Sequence, residues 1–168
     1  MLTIALCAAL AVAGCGGDDE TTTEATDSAA TTTESSGSSE SSASPEGQKP
    51  TITVPSGAPP KKLEIDDLRV GSGPEAKAGD EVTVQYVGVG YDSEEEFDAS
   101  WDRGEPFTFQ LGAGMVIPGW DQGVEGMKVG GQRELTIPAE LAYGPAGSPP
   151  AIGPNETLIF VVDLVSVG

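Results

Sequence analysis

A sharp change in composition near residue 60 constrains the fold of this chain more than any other feature. Residues 16–60 contain no Leu and no aromatic residue, and runs of Thr and Ser dominate them. Such a segment buries too little apolar surface to offset the entropy lost on ordering, so we predict a disordered linker that ends at Pro60. The folded domain is therefore expected at residues 61–168, which are enough for one hydrophobic core.

The N-terminus carries a short apolar run over residues 2–13. It is shorter than the roughly 20 residues that span a bilayer as a helix, and it is typical of the core of a secretory signal. The sequence Val12-Ala13-Gly14-Cys15 resembles the bacterial lipobox, which predicts removal of residues 1–14 and a lipid on Cys15. The chain would then act outside the cytoplasm, anchored to the membrane as a lipoprotein. The alternative is an ordinary signal with a chance cysteine. The absence of Lys and Arg before the run leaves a start upstream of Met1 open.

Charge and residue types exclude several classes of function. The net charge is −19, which argues against nucleic-acid binding, because that depends on Lys and Arg against phosphates. The chain has no histidine, which removes imidazole triads and His-ligated zinc. Both cysteines, Cys7 and Cys15, precede the domain, so no disulfide or thiolate metal site is expected within it. No metal site with His or Cys ligands is expected in the domain, and no cofactor is expected.

Alternating and turn patterns in residues 61–168 predict an α+β domain, with an antiparallel sheet folded against one short helix. The helix is expected to begin at Pro118 and to end at Val129-Gly130-Gly131. Trp120, Val124 and Met127 share one face of it. The predicted strands are 63–70, 82–87, 97–100, 106–111, 132–138 and 157–167, and a Gly- and Pro-rich loop covers 144–155.

An acidic connection follows the second predicted strand at residues 88–96. Asp92, Glu94, Glu95 and Glu96 are expected at a solvated hairpin tip. A weak Ca²⁺ site is the alternative, although the ordered spacing of an EF-hand loop and its glycine are missing.

Several motifs of the domain together resemble one enzyme family. In chain order they are Tyr86-Val87-Gly88, Phe97-Asp98-Ala99-Ser100, Arg103, Pro106-Phe107, Val116-Ile117-Pro118-Gly119-Trp120, Gly123-Val124, Met127, Val129-Gly130, Ala142-Tyr143-Gly144 and Leu158-Ile159-Phe160. Their order and near-spacing are similar to those of FKBP-type peptidyl-prolyl cis-trans isomerases, over all of 61–168. The resemblance implies a five- or six-stranded antiparallel sheet wrapped around the single helix, and an apolar pocket with Trp120 as its floor.

The resemblance also implies a set of site residues and partners. Asp98, Tyr143 and Phe160 match catalytic positions, with the Tyr143 hydroxyl expected to bind a ligand carbonyl. The substrate-binding positions are Tyr86, Phe97, Phe107, Val116, Ile117, Trp120 and Ile152. Expected partners are proline-containing unfolded or exported polypeptides and macrolide-type inhibitors, with no nucleic acid, and a monomer is expected.

Some residues depart from the family pattern and make alternatives worth stating. Ser148 stands where many members carry a histidine, Ala151 replaces a larger residue, Trp101 is unusual, and the connection at 88–96 looks about one residue longer. These departures concern the rim and its substrate preference. A module that binds proline peptides with little catalysis is the second reading, and a purely structural surface lipoprotein is the third. Without the family pattern, Phe97, Phe107 and Phe160 would be read as core, and Asp98 as a turn cap or a partner of Arg103.

Overall fold

The computed structural model describes residues 46–168. They form an antiparallel sheet of six strands and two short helices, α1 and α2. In chain order the elements are β1 (Glu64–Arg69), β2 (Glu81–Gly90), β3 (Glu96–Ala99), α1 (Ser100–Arg103), β4 (Phe107–Gln110), α2 (Pro118–Val124), β5 (Gln132–Ile137) and β6 (Leu158–Val167). Two 3-10 turns, Ala139–Leu141 and Gly144–Ala146, follow β5. The predicted α+β class and all six strands are confirmed.

The sheet is organised around β2. Its spatial order is β1-β5-β6-β2-β3, and β4 also pairs with β2. Strand β6 pairs with β2 along its whole length, from Val82 opposite Val167 to Gly90 opposite Leu158. On the other edge of β2, β4 pairs with residues 81–84 and β3 with residues 87–89. Strands β3 and β6 therefore lie on either side of residues 87–89 of β2.

Helix α2 packs against the sheet through its buried face, which includes Trp120 and Val124. Pro118 opens the helix, where its missing N–H removes no helical hydrogen bond. A Cβ at Gly119 would lie 2.3 Å from Cγ2 of Ile137, and one at Gly123 would lie 2.6 Å from Cδ2 of Leu135. Glycine at these two positions thus allows the helix to approach β5 closely.

The helix is shorter than the sequence predicts, because it ends at Val124 and not near Gly130. Beyond it, the backbone bonds to an earlier segment of the chain. The N–H groups of Gly126 and Val129 donate to the carbonyls of Ala76 and Pro74, and Ala76 donates to Met127. Met127 is nonetheless buried, as its spacing predicted.

Helical turn α1 was not predicted. The sequence indicated a strand over 97–100, whereas β3 ends at Ala99 and Ser100 begins the turn. Gly104 ends it with φ of 69°, a left-handed conformation that glycine adopts without steric cost. The turn reverses the chain, and Arg103 thereby returns to the side of β3 that carries Asp98.

The structure differs from the expected linker at its C-terminal end. Pro50 is buried, and Ile52 and Val54 pack against Val87, Val89 and other residues of the sheet. Ile52 and Val54 alternate with exposed threonines, which is the pattern of an extended segment on a sheet. A composition averaged over 16–60 hides this short alternation.

Residues 1–45 lie outside the described part of the chain, and with them the predicted signal, the lipid site at Cys15 and most of the linker. Within residues 46–168, no helix has the length and apolar character needed to cross a membrane. In the same range no group of three or more acidic, His or Cys side chains is placed to hold a metal ion, and this includes the acidic connection.

Candidate active site

An open cleft lies where α2 meets the sheet, with a volume of about 190 Å³. Nine of the ten predicted site residues line it. They come from separate elements: β2, β3, β4, the segment entering α2, α2 itself, the 3-10 region and β6. The lining residues are Tyr86, Phe97, Asp98, Phe107, Met115, Val116, Ile117, Trp120, Tyr143 and Phe160.

Trp120 forms the floor of the cleft at the centre of an aromatic cluster. Its ring centroid lies 5.0 Å from that of Tyr86 and 5.2 Å from that of Phe160, both edge-to-face. Phe109 lies 5.7 Å from Trp120, and Phe107 lies 6.2 Å away. Edge-to-face contacts such as those of Tyr86, Phe107 and Phe160 with Trp120 add to the stabilisation of this aromatic floor from burial.

A polar corner formed by Tyr86, Asp98 and Arg103 adjoins this floor. The Tyr86 hydroxyl donates to Oδ2 of Asp98 at 2.5 Å and accepts from Nη2 of Arg103 at 2.8 Å. Arg103 also donates to Oδ1 of Asp98, and its guanidinium lies 5.5 Å from the centroid of the Tyr86 ring. The pairing of Asp98 with Arg103, considered from sequence as an alternative to a site role, occurs inside the cleft.

This network holds two of its members in defined protonation states. Burial, followed by the hydrogen bond to Asp98, raises the pKa of Tyr86 above its ordinary value. The hydrogen bond to Tyr86 and the charge of Asp98 raise the pKa of Arg103, although burial opposes this. Tyr86 is therefore neutral and Arg103 is charged throughout the physiological range.

Tyr143 stands at the mouth of the cleft with 43% of its surface exposed. It follows the 3-10 turn Ala139–Leu141, and among the described residues its hydroxyl has no hydrogen-bond partner. A hydroxyl in this position is free to donate to an acceptor on a bound ligand.

Ile152 was predicted as a wall of the pocket, but it is not among the residues that line the cleft. Its side chain is 5% exposed and lies in the main core cluster, while its backbone bonds reciprocally to Ser148. Met115 takes a place in the lining that sequence reasoning missed, and it is 65% exposed. Only its position directly before Val116 could have indicated this.

Glu156 fixes the loop before β6, and sequence reasoning gave it no role. Its Oε1 accepts from Oγ of Ser93 at 2.6 Å and from the Ser93 N–H at 3.3 Å. Its Oε2 accepts from the Gly153 N–H at 2.7 Å. This carboxylate therefore ties the β2–β3 connection to the loop that follows Tyr143.

We expect the Glu156→Gln variant to be less stable than the wild type by about 1 kcal/mol at pH 7, since a charged acceptor is replaced by a neutral one. Burial by itself would raise the pKa of Glu156, but the Ser93 and Gly153 hydrogen bonds outweigh it and lower the pKa. Because the pKa of Glu156 is lower in the folded state than in the unfolded state, its stabilisation is complete at pH values above the unfolded-state pKa. The stabilisation is lost as the pH falls through the folded-state pKa. Urea unfolding should therefore show that the difference in free energy of unfolding between the wild type and Glu156→Gln becomes smaller as the pH is lowered from 7 to 3. Glu140→Gln, at an exposed position, is the control. A difference that is constant with pH would contradict this role.

The geometry defines what the cleft can do. Its aromatic floor can hold a compact apolar ring, and the Tyr143 hydroxyl can anchor a carbonyl beside it. The chain offers no imidazole, and both of its cysteines lie before residue 16. The cleft therefore suits a reaction that depends on shape and solvation and that needs neither an imidazole nor a thiolate.

Comparison with known proteins agrees with this geometry. A model of the family described as FKBP-type peptidyl-prolyl cis-trans isomerase matches residues 73–165. An FK506-binding protein of Streptomyces anulatus is 61% identical over 121 residues, which is 71% of this chain and 98% of that protein. A probable FK506-binding protein of Corynebacterium glutamicum is 51% identical over 119 residues, again 71% of this chain and 98% of that protein.

Solved structures show the same fold. The crystal structure of FkpA from Escherichia coli matches with a TM-score of 0.57 and 47% identity, covering 62% of this chain but only 47% of that one. The crystal structure of AtFKBP13 matches with a TM-score of 0.58 and 40% identity, covering 63% of this chain and 93% of that one. The chain belongs to the FKBP-type peptidyl-prolyl cis-trans isomerase family.

Proposed function

We propose that this isomerase acts outside the cytoplasm on Xaa-Pro bonds of unfolded or exported polypeptides, with the proline ring seated on Trp120. Tyr143 holds a carbonyl of the peptide, Asp98 sets the polar corner of the cleft, and Phe160 forms part of its wall. The observation that supports these roles is the cleft itself, whose lining combines the aromatic cluster around Trp120 with a Tyr143 hydroxyl that has no hydrogen-bond partner among the described residues.

Such a cleft lowers the barrier by solvation and positioning. Rotation about the peptide bond costs about 18–20 kcal/mol, because amide resonance is lost as the bond twists. The twisted amide has less charge separation than the planar one, so it loses less on transfer from water to an apolar site. No nucleophile and no proton transfer are needed.

We expect Tyr143→Phe to lower kcat/KM for a proline peptide by about 5- to 30-fold, or roughly 1–2 kcal/mol, the worth of one hydrogen bond and its stranded acceptor. Stability should change little, since the Tyr143 side chain is 43% exposed. The measurement is peptide isomerisation by the full chain. Tyr91→Phe is the control, because Tyr91 lies outside the cleft lining. An unchanged rate would remove Tyr143 from the mechanism.

The cellular location depends on Cys15, which lies outside the described residues. The apolar run that ends in Val12-Ala13-Gly14-Cys15 supports a lipid-anchored enzyme. Mass spectrometry of the native protein should show a diacylglycerol-type adduct on Cys15, and Cys15→Ser should move the protein from the membrane to the soluble fraction. Stable anchoring requires more than one acyl chain, so the adduct is expected to carry several. A mature N-terminus elsewhere, without lipid, would contradict this location.

The same cleft is proposed to take a macrolide. The relatives from Streptomyces anulatus and Corynebacterium glutamicum are named for FK506 binding. FK506 should compete with proline peptides for this chain, and a calorimetric titration measures it. Binding that leaves peptide affinity unchanged would place the macrolide elsewhere.

A further inference from the structure

A short segment before the domain contacts the strand and the helical turn that carry the polar corner. We call residues 49–54 the brace. At its start, Nζ of Lys49 lies 2.7 Å from Glu96 and 2.8 Å from Asp102. Glu96 begins β3 and Asp102 lies within α1, so one ammonium group joins the start of β3 to helical turn α1.

The remainder of the brace is held by apolar contacts. Pro50 is buried, and Ile52 and Val54 pack on a cluster made of Val87, Val89 and Ala99, with Trp101 at its side. Val87 neighbours Tyr86 in β2, and Ala99 neighbours Asp98 in β3. The brace therefore covers the outer face of the two strands whose adjacent side chains enter the cleft.

Site residues lie directly beside the two Lys49 contacts in the chain. Phe97 and Asp98 follow Glu96 directly, and Arg103 follows Asp102 directly. Between these two contacts, the Ser100 hydroxyl accepts from the Tyr86 N–H at 2.8 Å, and this bond joins helical turn α1 to β2. This inner bond does not involve Lys49, whose own contacts are with Glu96 and Asp102.

We propose that the brace positions the polar corner, with Lys49 as a positioning residue for Asp98 and Arg103 in peptide isomerisation. The inference rests on the proposed roles of the cleft residues. Lys49 and its partners are partly exposed, with 36% of the Lys49 side chain accessible, and exposed ion pairs contribute little to stability. The effect is therefore expected in the rate and not in the unfolding transition.

The test uses the full chain with Lys49→Met, compared with Lys49→Arg and with Lys62→Met at an exposed lysine. We expect Lys49→Met to lower kcat/KM by roughly three- to tenfold, mainly through kcat, because small displacements of site groups slow the reaction. Lys49→Arg should restore most of the rate, and Lys62→Met should have no effect. In an Asp98→Asn background, Lys49→Met should lower the rate no further, because the two residues act through one corner.

A second readout does not depend on activity. The chain has three arginines, so NMR signals of the Arg103 guanidinium can be followed with Arg69 and Arg133 as internal references. In the Lys49→Met variant, exchange of the Arg103 guanidinium protons with water should accelerate while the two references stay unchanged.

The outcomes distinguish a failure of the Lys49 positioning role from a failure of the proposed function. An unchanged rate and unchanged Arg103 exchange in Lys49→Met would overturn the positioning role, even if the wild type is a fully active isomerase. A rate loss that persists undiminished in the Asp98→Asn background would also overturn it. An inactive wild type would refute the proposed function, whereas faster Arg103 exchange would still show that the brace holds the corner.

Discussion

Replacement of Phe160 by Ala is expected to destabilise the protein by about 3–5 kcal/mol and to lower its thermal midpoint by roughly 10–20 °C. The Phe160 side chain is 4% exposed. Its ring lies 5.2 Å from Trp120 and 5.5 Å from Phe97, measured between centroids. Truncation therefore leaves a cavity between α2 and the sheet and removes part of the cleft wall at the same time.

Calorimetry of two matched variants separates these effects. Val165 lies on the same strand and is 48% exposed. We expect Val165→Ala to lower the thermal midpoint by only a small fraction of the decrease expected for Phe160→Ala. Phe160→Leu keeps most of the buried volume, so it should retain more stability than the Ala variant while still changing the wall. Equal midpoints for Phe160→Ala and Val165→Ala would show that Phe160 is not part of the core.

Asp98→Asn is expected to lower kcat/KM by roughly 10- to 100-fold. The carboxylate accepts from both Tyr86 and Arg103, and an amide of the same size cannot accept equally well from both. One donor loses a charge-assisted hydrogen bond, which is worth about 1.5–3 kcal/mol. Part of that loss is screened, because 40% of the Asp98 side chain is exposed.

Titration of the tyrosines reports the same change without reference to activity. Asp98 raises the pKa of Tyr86 and Arg103 lowers it, so the pKa of Tyr86 in the Asp98→Asn variant should fall below that of the wild type. Ultraviolet difference spectra measure the ionisation of Tyr86, and Tyr91 and Tyr143 serve as internal references. The exposed Glu105→Gln variant is the control for both measurements. A wild-type rate combined with a shifted Tyr86 titration would make the network structural and not catalytic.

The fold followed from the sequence because its strongest signals are local. Alternation of apolar and polar residues in β2 and the long apolar run of β6 marked the two central strands. The end of α2 was misplaced because it depends on distant hydrogen bonds between residues 126–129 and the segment 73–76, which no local pattern contains.

The cleft was predictable through the family pattern, since nine of the ten expected residues lie together. Ile152 does not line the cleft, because its side chain lies in the core cluster next to the Ser148–Ile152 bridge, which no local sequence pattern indicates. Glu156 and Lys49 were missed for a common reason. Each joins segments far apart in sequence, and a lone charged residue gives no sign of its partner.

The isomerisation rate of an Xaa-Pro peptide in the presence of the full chain measures directly whether the cleft is catalytic. We expect the cis and trans forms to interconvert much faster than on the uncatalysed timescale of ~10–100 s, and we expect FK506 to return the rate to the uncatalysed value. The rate should be nearly constant from pH 6 to 8, since the chain has no histidine and the pKa of Tyr86 is raised away from this range. Binding of the peptide in the cleft with no acceleration would show that the domain is a module that holds proline segments without isomerising them.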